Sequence, residues 1–283
     1  MRELDLPGTG VTVHVLSTAC RTELPTALPT ALPGPGADAT APVFVLVHGI
    51  GMSHRYLERL QGELARTGAT HSVDLPGFGR SPKPADGVSI RQYGEYLGEL
   101  LPLLSERPVV LIGHSMGAQF VTEAAALYPE LVSHLVLIGA VTDPTRDSVL
   151  RQALDLGRDT VKEPLRGTLM VVADYLRCGP RWYLATLRPM LAYRTDRRLR
   201  EVSAPTLVIR GDRDPVSRHD WGVHLAQQPP AGRLVELPGR HLVQFSAAAA
   251  TAESIRQHSV SASVSAPVTD RRPDDRPPAA LVG

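Results

Sequence analysis

Hydrophobic residues in this chain fall into short unbroken runs separated by segments with helical spacing. Val43-Phe44-Val45-Leu46-Val47 contains no polar residue, which suits a strand buried on both faces of a parallel sheet. Ser53 to Thr67 sets Tyr56, Leu57, Leu60 and Leu64 on one side of a predicted helix. His71-Ser72-Val73 predicts a short strand, Ile90 to Leu104 a helix, and Val109-Val110-Leu111-Ile112 a second buried strand. The pattern continues with a helix at Gln119 to Tyr128 and strands at Leu135 to Ile138 and Thr206 to Ile209. A helix around Ser217 to Ala226, a strand at Arg233 to Leu237 and a final helix of roughly Leu242 to Gln257 complete it. Near the start, Leu4 to Leu6 and Val11 to Leu16 flank Pro7-Gly8-Thr9-Gly10, as in a β-hairpin. Strands alternating with helices predict an α/β domain with a mostly parallel sheet covered on both sides.

Three stretches break the alternation. Residues 20–42 are rich in Pro, Thr and Ala; proline cannot donate to a sheet ladder, so an exposed connector is expected. From 144 to 201 the chain is helical without a clear buried strand. Its ends rejoin one sheet, so it is expected to lie over the strand ends as a lid. Trp182, Tyr183, Leu184, Leu187, Met190 and Leu191 give it an apolar face at helical spacing, and Trp182 and Met190 are the expected pocket-lining residues. Residues 259–283 are polar, with prolines and charges, and read as a disordered tail. The expected core is therefore 1–143 together with 202–258.

Composition narrows the function classes. The chain has 283 residues, 43% hydrophobic and 21% charged, with a net charge of +1, so no strong field draws nucleic acid. The basic segment Arg194 to Arg200 is interleaved with Asp196 and Glu201 and reads as a solvated helix face. No apolar run approaches the ~20 residues of a membrane span, and the N-terminus lacks an apolar signal core. Cys20 and Cys178 lie far apart without metal-ligand spacing. A soluble cytoplasmic protein is expected. No metal set, phosphate-binding Gly-x-x-x-x-Gly-Lys or dinucleotide fingerprint occurs, so no cofactor is expected.

Chemistry gathers at Gly113-His114-Ser115-Met116-Gly117. A strand precedes this Gly-x-Ser-x-Gly and a helix follows it, so a sharp turn would hold Ser115 clear of the sheet. Gly113 and Gly117 stand where a Cβ would meet neighbouring backbone. A serine hydroxyl needs a base and a group that orients the base. His241 follows the last strand. Asp214 follows the strand ending at Ile209, with Asp212 and Asp143 as competing acids.

These pieces resemble the α/β-hydrolase superfamily, in its lid-bearing branch of esterases, thioesterases, carbon–carbon bond hydrolases and cofactor-free haloperoxidases. His48-Gly49, Asp74-Leu75-Pro76-Gly77-Phe78-Gly79-Arg80-Ser81, the Ser115 motif, Gly211-Asp212-Arg213-Asp214 and Gly239-Arg240-His241 occur in family order. The resemblance implies a Ser115, Asp214, His241 triad, with Asp214 favoured over Asp212 by its spacing from Gly211. It also implies an oxyanion hole from the backbone N–H groups of Ile50 and Met116, and it leaves His48 structural and His114 turned from the reacting carbon. His134 reads as solvent-facing. The expected activity is hydrolysis of a small or medium apolar ester, lactone or thioester. Carbon–carbon cleavage, perhydrolysis or a slow ligand-binding signalling role on the same fold stand as alternatives. Arg240 replaces a small residue common in the family, and the proline-rich stretch is longer than usual.

Overall fold

The computed structural model describes residues 1–20, 41–144 and 165–261. Most of the proline-rich stretch, the first part of the expected lid and nearly all of the expected tail lie outside them.

The apolar runs form the middle of the sheet. The strands are β1 Arg2–Asp5, β2 Thr12–Thr18, β3 Val43–Val47, β4 Ala69–Asp74, β5 Val109–His114, β6 Val132–Ile138, β7 Thr206–Gly211 and β8 Gly232–Leu237. They lie in the order β1-β2-β4-β3-β5-β6-β7-β8. The hairpin and its join to β4 are antiparallel, and every other pair is parallel. Successive side chains on a strand point to opposite faces. Val45, Val47, Leu111, Leu135 and Leu137 accordingly enter one core, whereas Phe44, Leu46, Val110, Ile112, Val136 and Ile138 enter the other. Each face needs an apolar cover, which is why these strands carry no polar alternation.

Helices supply that cover. They are α1 Glu58–Leu64, α2 Ile90–Leu104, α3 Gly117–Leu127, α4 Leu165–Cys178, α5 Pro180–Ala192, α6 Thr195–Arg198, α7 His219–Ala226, α8 Val243–Ser246 and α9 Ala248–Ser261. Tyr93, Leu97 and Leu101 of α2, Phe120 and Ala124 of α3 and Trp221 of α7 fill one core. Leu60 and Leu64 of α1 and Ile255 of α9 fill the other. A capping box starts α2: Ser89 Oγ accepts from the Gln92 N–H at 3.2 Å, and Gln92 Oε1 accepts from the Ser89 N–H at 2.9 Å. Among the described residues no helix is long and apolar enough to cross a membrane.

Parallel register lines up the carboxyl ends of the central strands. Val47 pairs with Gly113, His114 with Ile138, Ile138 with Ile209 and Gly211 with Leu237. The turns that follow β3, β5, β7 and β8 therefore meet along one edge, where ligand sites of open α/β sheets form.

The helical segment between β6 and β7 is tied to α3. Gln119 Nε2 donates to the Met190 carbonyl at 3.0 Å and to Thr142 Oγ1 at 2.8 Å. Arg198 grips Glu123 through two hydrogen bonds, at 3.0 and 3.1 Å, and the Tyr193 hydroxyl donates to the same carboxylate at 2.8 Å. The basic segment is thus not wholly a solvated face. Arg198 folds inward because a buried carboxylate on α3 must be paired. His134 also departs from expectation. It is buried, because α9 lays His258 against its ring at 5.2 Å between centroids.

Candidate active site

Ser115 sits in the sharp turn between β5 and α3 with a φ of 56°, a conformation that costs a non-glycine residue energy. Its neighbours hold it there. The Ser115 N–H donates to the Ile138 carbonyl at 2.9 Å. A Cβ on Gly113 would lie 2.3 Å from the Gly117 carbonyl oxygen, and one on Gly117 would lie 2.6 Å from the Val47 and His48 carbonyl oxygens. The elbow is therefore wedged against the turn that follows β3. That turn is equally close to the serine, since a Cβ on Gly49 would lie 2.9 Å from Ser115 Cβ.

The three side chains expected to act together meet here. His241 Nε2 is 3.1 Å from Ser115 Oγ, and His241 Nδ1 is 2.9 Å from Asp214 Oδ2. The other Asp214 oxygen accepts from the backbone N–H groups of Val216 at 2.8 Å and Ser217 at 3.0 Å. Burial alone would raise the Asp214 carboxyl; the charge and hydrogen bond of His241, with those two N–H groups, outweigh it and hold the carboxyl below its ordinary value. With Nδ1–H given to a carboxylate, Nε2 is left as the acceptor facing the serine. Asp212 instead accepts from the Gly239 N–H at 2.9 Å beside Arg213, half-exposed, as a turn residue does. Asp143 is buried beyond the end of β6.

Two further histidines have their roles set by their partners. His48 Nδ1 lies 2.8 Å from the Gly49 carbonyl, which can only accept, so Nδ1 carries the proton. His48 Nε2 then accepts from the Leu75 N–H at 3.1 Å. His114 turns away from the serine, and its Nε2–H donates to the His241 carbonyl at 3.0 Å. The N–H groups of Ile50 and Met116 have no hydrogen-bond partner among the described residues.

A small cavity, open to solvent at its mouth, borders the serine. Among the described residues its lining is Gly49, Ile50, Met52, Tyr56, His114, Ser115, Val171, Tyr175, His241 and Leu242. Trp182 and Met190 are not in it. The indole of Trp182 lies on Gly77, where a Cβ would be 2.2 Å away, and Met190 belongs to the core beside α3. The lining comes from α4 instead, because the ring edge of Tyr175 packs on Gly51, 2.5 Å from where a Cβ would be. Val171 and Tyr175 stand four residues apart and so share a helix face. That spacing was the available signal, but α5 carries a similar apolar face. No metal-holding cluster of His, Cys, Asp and Glu occurs among the described residues.

The buried histidines make the fold acid-sensitive. Burial is the largest cause in each case: it pushes His114 down to about 3, His71 to about 4 and His134 to about 4, and also lowers His48. Depressed values mean that the unfolded chain binds more protons below the ordinary value of 6.5. Stability is full above that pH and is lost as the pH falls towards 3. His114, wholly buried, contributes a slope of up to about 1.4 kcal/mol per pH unit. Melting followed by circular dichroism is expected to show Tm falling steadily from pH 6.5 to 4. A flat Tm over that range would mean that these rings take up protons as readily in the folded protein as in the unfolded chain.

Comparison with known proteins agrees with this architecture. The model of the alpha/beta hydrolase family matches residues 44–254. Uncharacterized proteins of Mycobacterium tuberculosis and Mycobacterium bovis are 32% identical over 101 residues, so the match spans 36% of this chain and only 30% of theirs. The (E)-2-((N-methylformamido)methylene)succinate hydrolase of Acinetobacter baylyi is 25% identical over 224 residues, 72% of this chain and 84% of that protein. The enol-lactonase of Burkholderia xenovorans superposes with a TM-score of 0.72 at 18% identity, over 91% of this chain and 99% of its own, which speaks to the fold. The family match runs from the start of β3 through the first half of α9, and with it takes in the serine elbow and the turns that carry Asp214 and His241; the chain belongs to the alpha/beta hydrolase family.

Proposed function

We propose that this protein is a serine hydrolase that cleaves a small or medium apolar ester, lactone or thioester through an acyl-enzyme. The observation that carries this reading is the continuous hydrogen-bonded line from Asp214 through His241 to a serine held at positive φ. His241 takes the Ser115 proton as Oγ attacks the carbonyl carbon, and returns it to the leaving alcohol or thiol. Water then repeats the sequence on the acyl-enzyme and releases the acid. The free N–H groups of Ile50 and Met116 are the donors for the oxyanion; each such donor is worth about 3 kcal/mol of barrier. Residues 144–201 act as the lid over a core of 1–143 and 202–258. The contact of Tyr175 with Gly51 supports this, because a ring lying on the oxyanion turn excludes water from it. Two cysteines far apart in sequence fit a cytoplasmic setting.

The lining favours a neutral substrate. Ile50, Met52, Val171 and Leu242 surround the serine, and no Lys or Arg lines the cavity among the described residues. The Acinetobacter relative is named for a substituted succinate, a dianion at neutral pH. A dianion would need cationic partners on desolvation. Carbon–carbon cleavage and perhydrolysis use the same side chains, but no feature of the cavity favours them. Turnover of short-chain p-nitrophenyl esters and thioesters, with covalent capture by a fluorophosphonate, tests the reading. A protein that turns over none of them and takes no label is not a serine hydrolase of this kind.

Chain-length selection is expected to come from α4. Tyr175→Ala removes the ring that closes the cavity, so the ratio of kcat/KM for octanoyl over acetyl esters is expected to rise about tenfold, since each methylene gained in a pocket is worth 1 kcal/mol or more. Trp182→Ala is expected to leave that ratio near its wild-type value. The opposite ranking would return the pocket to α5.

A further inference from the structure

Behind the serine runs a second line of hydrogen bonds, which the triad does not use. The Gly49 N–H donates to Tyr56 Oη at 2.7 Å. Tyr56 Oη lies 2.8 Å from His114 Nδ1. His114 Nε2 lies 3.0 Å from the His241 carbonyl oxygen. All four residues are buried. The line begins at the turn that carries the expected oxyanion donor and ends on the backbone of the expected general base.

Its direction is fixed by chemistry. A carbonyl oxygen only accepts, so His114 Nε2 must carry the proton. Burial holds His114 neutral, its value pushed down to about 3, so Nδ1 has no proton and must accept. Tyr56 must therefore donate to Nδ1, and its oxygen is left to accept from the Gly49 N–H. Burial also keeps the phenol protonated, by raising it well above its ordinary value. No member can reverse without leaving a buried polar atom unpaired, which costs about 1–3 kcal/mol.

Each end fixes something the reaction needs. The Gly49 N–H and carbonyl belong to the two peptides on either side of Gly49. Tyr56 holds the first through its hydroxyl. His48 Nδ1–H holds the second through the Gly49 carbonyl at 2.8 Å, and this second peptide carries the Ile50 N–H. At the other end, His241 lies in the connection between β8 and α8, outside any strand or helix. Its ring is held by Asp214, but the position of its backbone rests in part on His114.

We propose that Tyr56 and His114 are positioning residues that couple the oxyanion turn to the catalytic histidine, so that the donor and the base keep a fixed spacing across Ser115. This rests on the serine-hydrolase reading above. Neither side chain enters the proton transfer. Both act by setting where Ile50 N–H and His241 Nε2 stand relative to the serine, and displacement by about 1 Å at such a site can cost 100-fold in rate.

The test uses the full chain with Tyr56→Phe, His114→Gln and His114→Leu. Sites are counted by fluorophosphonate titration, so that misfolded protein does not enter kcat. Tyr56→Phe keeps the ring that packs beside Leu57 and Leu60 and removes only the hydroxyl. Its kcat per labelled site is expected to fall about 10- to 100-fold, with KM within about twofold, because the interaction lost matters in the transition state. The rate of fluorophosphonate capture is expected to fall in parallel. His114→Gln, whose amide keeps one donor and one acceptor, is expected to retain more of kcat than His114→Leu. In the imidazole ¹⁵N spectrum, His114 is expected to be a single Nε2-protonated tautomer in the wild type and a mixture in Tyr56→Phe.

A Tyr56→Phe protein with lowered Tm but unchanged kcat and capture rate would overturn the proposal and leave a packing role. Equal kcat in His114→Gln and His114→Leu would overturn it too, and that pair decides the matter if Tyr56→Phe does not fold. Absence of turnover and capture in the wild type would instead remove the hydrolase reading; the His114 tautomer would then still report whether the hydrogen-bonded line exists.

Discussion

Ser115→Ala is expected to abolish fluorophosphonate capture and to lower ester turnover about 10⁶-fold, the order seen when a serine protease loses its nucleophile. The geometry explains the size of the expected loss. Ser115 Oγ is the hydroxyl facing His241 Nε2 at 3.1 Å, and the cavity opens beside it. The change removes one oxygen and leaves the backbone bond from the Ser115 N–H to the Ile138 carbonyl in place. His241 Nε2 borders the cavity, where water can take the place of the lost hydroxyl. The fold is therefore expected to persist, with a Tm within a few degrees of the wild type. Mass spectrometry of the captured peptide from the wild type should locate the label on Ser115. A label elsewhere, or capture retained in the alanine variant, would assign the nucleophile to another residue.

How legible this was in the sequence depends on the range of the interactions concerned. Val43 to Val47 announces a central strand by itself, because both faces of that strand need apolar cover and the run has no polar residue to spare. The elbow is legible for a similar reason. Gly113 and Gly117 are demanded by contacts within the strand–turn–helix unit and its adjoining turn. His241 and Asp214 could be read from their places after strands, since parallel register brings all such turns to one edge. The pocket lining could not be read in this way. Trp182 and Met190 on α5 and Val171 and Tyr175 on α4 carry similar apolar spacing, and only the packing of Tyr175 on Gly51 decides which helix roofs the serine.

Polar pairs at long separation were hidden for the same reason. Arg198 finds Glu123 across 75 residues of chain, while its local neighbours Asp196 and Glu201 suggest a solvated face. His134 sits on a strand whose burial depends on α9, and nothing near it in the sequence reports that His258 will cover it. Tyr56 looked like one apolar member of a helical face. Its ring is that, but its hydroxyl joins Gly49 to His114, and the partner 58 residues away could not be inferred from spacing.

Asp214→Asn separates orientation of the base from its presence. In the wild type the carboxylate accepts Nδ1–H, so the Nε2 lone pair faces Ser115. An asparagine can keep the Val216 and Ser217 bonds only if its carbonyl oxygen takes the Oδ1 place. Its amide N–H then points at Nδ1, which must become the acceptor, and the proton moves to Nε2. The imidazole can no longer take the serine proton. A loss in kcat of about 10⁴-fold is expected, as in the serine-protease precedent for this change, with KM little altered because the cavity lining is untouched. Asp212→Asn is expected to cost less than about tenfold, since its carboxylate serves the Gly239 turn. Stability should respond differently from rate. The wild-type carboxyl is held below its ordinary value by His241 and two N–H groups, so its contribution is present above that ordinary value and is lost as the pH falls through the lowered one. The asparagine variant should lack this part of the acid response. Steady-state kinetics of the two asparagine variants and of Asp143→Asn, side by side, check the assignment. If Asp143→Asn is the crippling change and Asp214→Asn is mild, the acid that orients His241 lies after β6.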